Sequence, residues 1–158
     1  MGVGDGGGVD GTLRLVRGYF AVGIEHTKNS VNVGTLLRTA GIFGAAFVFT
    51  VGARYRQQSS DTRKTWRHTP LFHFTDLDDL MGHLPFECRL VGAELDESAT
   101  PLQKFTHPAR GIYLLGAEDH GLSRQALERC HSLVVLPGEH SLNVSVAGSI
   151  VLYDRLTR

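Results

Sequence analysis

Short runs of consecutive apolar residues alternate along this chain with segments of helical spacing, and that alternation restricts the fold more than any other feature. Tyr19–Glu25 (YFAVGIE) and Ala45–Val51 (AAFVFTV) are apolar at nearly every position, the pattern of strands buried on both faces of a sheet. Between them, Val33–Phe43 sets Leu36, Leu37, Ala40 and Phe43 at helical spacing, with Gly41 and Gly44 marking its end. Further along, Pro70–Phe74 reads as a short edge strand, and Asp76–Leu84 as a helix started by Thr75 or Asp76. A strand at Arg89–Ala93, a connection through Pro101 and a strand at Ile112–Gly116 follow. A helix at Ser123–Cys130, a strand at Leu133–Leu136 and a final helix from Asn143 to Leu156 complete the pattern. Strands alternating with helices predict an α/β fold, a mostly parallel sheet covered on both faces.

With 158 residues, 42% hydrophobic and 20% charged, the chain suits one globular domain with its own core. That domain is expected over residues 18–158, preceded by a flexible Gly-rich tail over 1–17. The tail contains a G-x-G-x-x-G match at Gly2, Gly4 and Gly7. It lacks the preceding strand and following helix that a dinucleotide site needs, which speaks against a nicotinamide-dependent enzyme. Cys88 and Cys130 are too few and too isolated for a disulfide framework or a zinc site, and the histidines show no metal-ligand pairing. No apolar run approaches the ~20 residues of a membrane span, so a cytoplasmic location without membrane association is expected.

The 16 basic and 16 acidic residues balance, but unevenly along the chain. Residues 53–67 carry Arg54, Arg56, Arg63, Lys64 and Arg67 against Asp61 alone, whereas residues 76–97 are predominantly acidic. A local basic loop can hold phosphates while the whole chain stays neutral. Affinity for a phosphate-bearing partner carried by these five cations would fall steeply with salt. A merely solvated loop is the alternative, and Trp66 within it could stack on a base or be buried against the domain.

In open parallel sheets, ligands bind beyond the carboxyl ends of the strands. Three predicted strands end in small or turn-forming residues, at Gly92-Ala93-Glu94, Gly116-Ala117-Glu118 and Leu136-Pro137-Gly138. In Leu136–Asp154 (LPGEHSLNVSVAGSIVLYD), Ser141, Asn143 and Ser145 cluster where a loop enters an apolar helix. Either Ser141 or Asn143 could cap that helix, but three such residues exceed what one cap needs. Neither serine lies in a G-x-S-x-G nucleophile elbow. In Asn29–Gly44, Asn32 reads as a helix N-cap, and Arg38 falls inside the helix among apolar neighbours. An arginine there is either a structural ion pair or an anion-facing group.

At these residues the chain resembles the SpoU (TrmH-like) family of RNA 2′-O-ribose methyltransferases in the SPOUT superfamily. Three motifs match in order: NVGTLLRTAGIFG (32–44), LLGAEDHGLS (114–123) and LPGEHSLNVSVAGSIVLYD (136–154). The resemblance covers about residues 18–156. It departs from the family pattern at Gly138, where methionine is usual, at Ser30, where proline is common, and in the loop Glu139-His140. It implies a Rossmann-like sheet with a C-terminal deep trefoil knot. It also implies a homodimer whose active sites form where one subunit's knot meets the other's first-motif helix.

By the same resemblance, the cofactor is S-adenosyl-L-methionine, held around Ala93, Gly116, Leu136, Ser141 and Leu142. Asn32, Arg38, Glu118, Ser141 and Asn143 match the family's catalytic and substrate-placing positions. The implied reaction is methyl transfer to a ribose 2′-hydroxyl of tRNA or rRNA without a metal, with tRNA favoured for so small a chain. A catalytically silent RNA-binding relative is the alternative. Because a guanidinium stays charged, Arg38 is read as holding the phosphate beside the target ribose and stabilising oxyanion character, not as a base.

Overall fold

The computed structural model describes residues 18–52 and 67–158. The segment 1–17 and Arg54, Arg56, Arg63, Lys64 and Trp66 of the basic loop lie outside the described residues. Seven strands form one sheet: β1 (Tyr19–Glu25), β2 (Phe47–Val51), β3 (Leu71–Phe74), β4 (Arg89–Ala93), β5 (Thr100–Pro101), β6 (Arg110–Leu115) and β7 (Ser132–Val135). Their order is β3-β2-β1-β6-β4-β7-β5, and every pairing is parallel. Such pairing needs crossovers, supplied in part by the helices α1 (Ser30–Ile42), α2 (Leu77–Gly82), α3 (Arg124–Arg129) and α4 (Val144–Thr157). The expected α/β class and parallel sheet are therefore what the chain adopts. None of the described helices is long and apolar enough to cross a membrane.

Successive side chains of the central strands enter opposite layers, as the two-residue period of a strand demands. Phe20, Val22 and Ile24 of β1 join Tyr113 and Leu115 of β6 in one core with Leu36, Leu37 and Ala40 of α1 and Val151 and Leu152 of α4. Ala21, Ile112 and Leu114 face the other core, with Leu77 and Leu80 of α2 and Ala126 of α3. Each fully buried aliphatic side chain contributes about 1.5–3 kcal/mol.

Helix ends differ from expectation where a cap was misplaced. Helix α1 starts at Ser30, three positions before Val33, because the Asn29 side chain caps it by accepting from the Val31 amide at 2.9 Å. Asn32 is thus not the cap but a first-turn residue with its side chain free for other work. Ser30 occupies the first helical position, one at which proline is favoured because it has no N–H and a preset φ. Strand β2 begins at Phe47, since the Ala45 and Ala46 amides donate to Ala40 and Phe20 carbonyls instead. The connection through Pro101 contains a strand too short to show a period: β5 pairs Thr100 and Pro101 with Val134 and Val135 at the sheet edge.

Helix α4 is held from both sides. A Cβ on Gly148 would lie 2.6 Å from Leu36 Cδ1 and 2.7 Å from Leu115 Cδ1, so glycine lets α4 approach α1 and β6 without displacing these two buried leucine side chains. Near its other end, Arg155 is 4% exposed and donates to the carbonyls of Pro108 (2.6 Å), Ala109 (2.9 Å) and Tyr19 (3.4 Å) and to the Tyr113 hydroxyl (3.2 Å). Its guanidinium also lies 5.2 Å from the Phe20 ring centroid. With its oxygen accepting from Arg155, Tyr113 donates its proton to His107 Nδ1 (2.6 Å), so His107 carries its own proton on Nε2 and gives it to Asp154 (2.8 Å). Burial holds the His107 pKa below its ordinary value, in keeping with that neutral tautomer. Arg155→Ala removes a donor from three carbonyls, of which that of Ala109 keeps the Tyr19 amide, and it is expected to cost about 2–4 kcal/mol, read as a lowered midpoint in urea denaturation.

Candidate functional site

The first turn of α1, the loop after β6 and the entry to α4 meet through side chains. Asn32, 5% exposed, donates its amide to Glu118 Oε1, and its carbonyl oxygen accepts from Asn143 Nδ2 at 3.1 Å. Glu118 can only accept, which orients the Asn32 amide, and that in turn orients Asn143. The Asn143 oxygen then accepts from the Ser145 amide (3.0 Å), the Ser145 hydroxyl (2.6 Å) and the Val146 amide (3.4 Å). Asn143 is therefore the cap of α4, settling the choice between it and Ser141. Its one side chain both caps and bridges, which explains why the polar cluster is richer than a cap alone needs.

Beside this network runs a cleft along the carboxyl ends of β4, β6 and β7, formed by two adjoining cavities of about 70 and 280 Å³. Both touch Ala93, Glu94, Ser141, Leu142 and Ala147; Leu136 and Pro137 line the smaller one, and Gly116 to Gly121 the larger. All three strand ends singled out in the sequence contribute. The turn after β6 is folded tightly: a Cβ on Gly116 would lie 2.0 Å from the Gly121 carbonyl carbon. Two carboxylates brace this turn. Glu94 accepts from the Leu122 amide (2.7 Å), and Glu25, 1% exposed, accepts from the Ser123 amide (2.8 Å) and hydroxyl (2.7 Å).

Glu25 was not among the candidate site residues drawn from the sequence, and Glu94 entered only as part of the Gly92-Ala93-Glu94 strand end, without a role of its own. The available signal was an acid at the end of an apolar strand for Glu25 and just after one for Glu94, which reads equally well as a solvated strand end.

The predicted site residues separate into two groups. Ala93, Gly116, Glu118, Leu136, Ser141 and Leu142 line the cleft, and Asn32 and Asn143 adjoin it through Glu118. Arg38 lines neither cavity. It is exposed on the face of α1 that also carries Val31, Thr35 and Ile42. The structural ion pair considered for it is not made with any described residue. Arg67, the described member of the basic loop group, is exposed.

Charge at the cleft is mainly acidic. The hydrogen bond from Lys28 (2.5 Å) holds the Asp119 carboxyl below the usual carboxylate range. Cys130 is pushed up to about 12 by burial and by nearby Glu25, so its thiol stays protonated and offers no thiolate nucleophile. Among the described residues, no group of three or more His, Cys, Asp or Glu side chains gathers to hold a metal.

The model of the SpoU rRNA Methylase family matches residues 19–153. The chain belongs to this family. It is 30% identical over 140 residues to the 23S rRNA (guanosine-2′-O-)-methyltransferase RlmB of Acinetobacter baylyi, covering 83% of this chain and 56% of that protein. It is 25% identical to the tRNA (guanosine(18)-2′-O)-methyltransferase of Escherichia coli, over 83% of this chain and 60% of the relative. The chain thus spans little more than half the length of these curated relatives. Among solved structures, the AdoMet-bound rRNA methyltransferase from Sinorhizobium meliloti superposes with a TM-score of 0.79 at 21% identity, over 88% of this chain and 56% of that one. The A. aeolicus TrmH/SpoU tRNA modifying enzyme does so with a TM-score of 0.78 at 19% identity, over 90% and 77%. These likenesses place the fold among the SpoU methyltransferases.

The network makes a thermodynamic prediction. Asn143→Ala is expected to cost about 1–2 kcal/mol as a lost cap. Combining it with Asn32→Ala should cost about 0.5–1 kcal/mol less than the sum of the two single changes, because the residues share a bond. Urea denaturation of the four proteins checks this, and strict additivity would show that the contact contributes nothing.

Proposed function

We propose that this chain transfers a methyl group from S-adenosylmethionine to a ribose 2′-hydroxyl of RNA. The observation that carries this reading is the cleft at three strand ends, joined to the Asn32–Glu118–Asn143 network inside the segments that match the family. The cleft fits the cofactor: Leu136, Leu142 and Ala147 offer an apolar wall for an adenine ring. Glycine at 116 lets the turn after β6 fold back onto the strand end, where a Cβ would meet the backbone of Gly121 and Leu122, and this turn forms one wall of the cleft. The cofactor supplies a methyl group made electrophilic by a positively charged sulfur. Asn32, Glu118, Ser141 and Asn143 orient the ribose and the loop that faces it.

Arg38 is permanently charged and donates in a planar fork, which suits it to hold the phosphate beside the target ribose and to stabilise negative charge developing on the oxygen. Its place on an outward face of α1 calls for a second subunit. Val31 and Ile42 of α1 and Val146, Ile150 and Tyr153 of α4 are all exposed, Ile42 by 73% and Tyr153 by 60%. A homodimer joined through these helices buries this apolar face and carries Arg38 of each subunit to its partner's cleft. We include in this reading the knotted C-terminus, a cytoplasmic location and RNA contact by Arg54, Arg56, Arg63, Lys64 and Arg67. The substrate is tRNA or rRNA, with tRNA preferred.

Arg38→Ala is expected to lower methyl transfer at least a hundredfold while leaving calorimetric affinity for S-adenosylmethionine within about twofold. Arg38→Lys should recover little, because a point charge lacks the fork. Incorporation of labelled methyl into total tRNA and rRNA is the assay, and near wild-type turnover in Arg38→Ala would overturn the assigned role. For the dimer, Ile150→Glu combined with Tyr153→Glu should give a folded monomer in sedimentation velocity, inactive yet still binding cofactor.

A further inference from the structure

We infer that the cleft selects its ligand by charge, with the Glu94 carboxylate favouring the cationic methyl donor over the neutral product left after transfer. This rests on the cofactor reading above. Glu94 lines both cavities of the cleft, so any ligand filling it lies beside this carboxylate. Among the described residues, the cleft lining contains the carboxylates of Glu94, Glu118 and Asp119 together with His120 and His140, and no Lys or Arg side chain.

These three acids are compensated differently. Asp119 is ion-paired with Lys28 and has His120 Nε2 at 3.4 Å. Glu118 is bonded by the neutral amide of Asn32. Glu94 accepts from two backbone amides, Leu95 at 2.8 Å and Leu122 at 2.7 Å. Neutral donors fix a carboxylate in place without cancelling its charge, so the wall presents a localised negative potential.

Methyl transfer changes the charge of the occupant. The sulfur–methyl bond breaks with its electron pair staying on sulfur, the carbon–oxygen bond forms, and the hydroxyl proton passes to water. The donor, with a sulfonium, an ammonium and a carboxylate, carries net positive charge; the resulting thioether carries none. A wall bearing Glu94 therefore holds the donor more tightly than the product, and the reaction itself weakens retention of what it leaves behind. Bracing of the turn after β6 through Leu122 is a separate duty of the same side chain, and it predicts equal effects on every ligand.

Calorimetry on the whole chain separates the two, using S-adenosylmethionine, S-adenosylhomocysteine and sinefungin, in which an amine-bearing carbon replaces the sulfonium. Wild type should bind both cationic ligands about three- to tenfold more tightly than S-adenosylhomocysteine, the range expected for one unit charge near a carboxylate in a solvated cleft. Glu94→Gln should bring that ratio close to one, and Glu94→Asp, which keeps the charge, should retain it. An unchanged ratio in Glu94→Gln, or equal weakening of all three ligands, overturns the inference and leaves only the bracing role. Should Glu94→Gln fail to fold, a potassium chloride series on wild type decides: the ratio falls with screening if charge selects, and a flat ratio overturns the proposal. If wild type binds none of the three, the cofactor reading falls and takes this inference with it, an outcome distinct from binding without discrimination.

Discussion

Asn32 has one carbonyl oxygen and one amide group, and this chain commits each to a different distant segment. The amide goes to Glu118 after β6, and the oxygen receives Asn143 at the entry to α4. A polar side chain buried in the first turn of a helix is costly unless satisfied. Satisfying it brings the β6 loop and the α4 entry to the same point. Asn143 extends the arrangement by capping α4, so the position of that helix is tied to the same network. If these bonds fail, the loop carrying Glu118 and the loop carrying Ser141 lose their common reference.

Around that junction, the scaffold is arranged to make backbone available. The sheet ends in glycine, alanine and proline at the three strand termini that form the cleft. Glu25 and Glu94 take up the consecutive amides of Ser123 and Leu122, so the turn between β6 and α3 is pinned from both adjoining strands. At the opposite edge, Arg155 and Arg158 donate to backbone carbonyls of the 102–109 segment and hold the end of α4 there. Polar groups at both ends of α4 are thus spent on placement, while its outward face, with Val146, Ile150 and Tyr153, remains apolar.

The distribution of charge follows the same division. Acidic groups gather at the cleft, and the guanidinium of Arg38 sits apart on α1 amid exposed apolar side chains. A positive group placed directly in the cleft would compete for its carboxylates. It stands instead on another face, outside the lining of the cleft, and the proposed chemistry brings it there from a second subunit.

Much of this was legible in the residues alone. The buried strands could be read from unbroken apolar runs, because a strand covered on both faces must be apolar at every position, and β1 and β4 match those runs at both ends. The strand-end glycines located the cleft, since a backbone that must pass close to another group tolerates no Cβ. Caps were less legible: Asn29 and Asn32 are equally good capping residues, and only the pull of Glu118 and Asn143 on Asn32 left Asn29 to start the helix. Strand β5 was invisible because two residues have no period, and its pairing depends wholly on β7 lying beside it. Local pattern therefore determined the class of fold and the edge of the sheet where a ligand can sit. Tertiary structure alone decided which carboxylates brace the turn, which asparagine bridges and which way Arg38 faces, because each depends on partners far away in sequence whose approach no local propensity records.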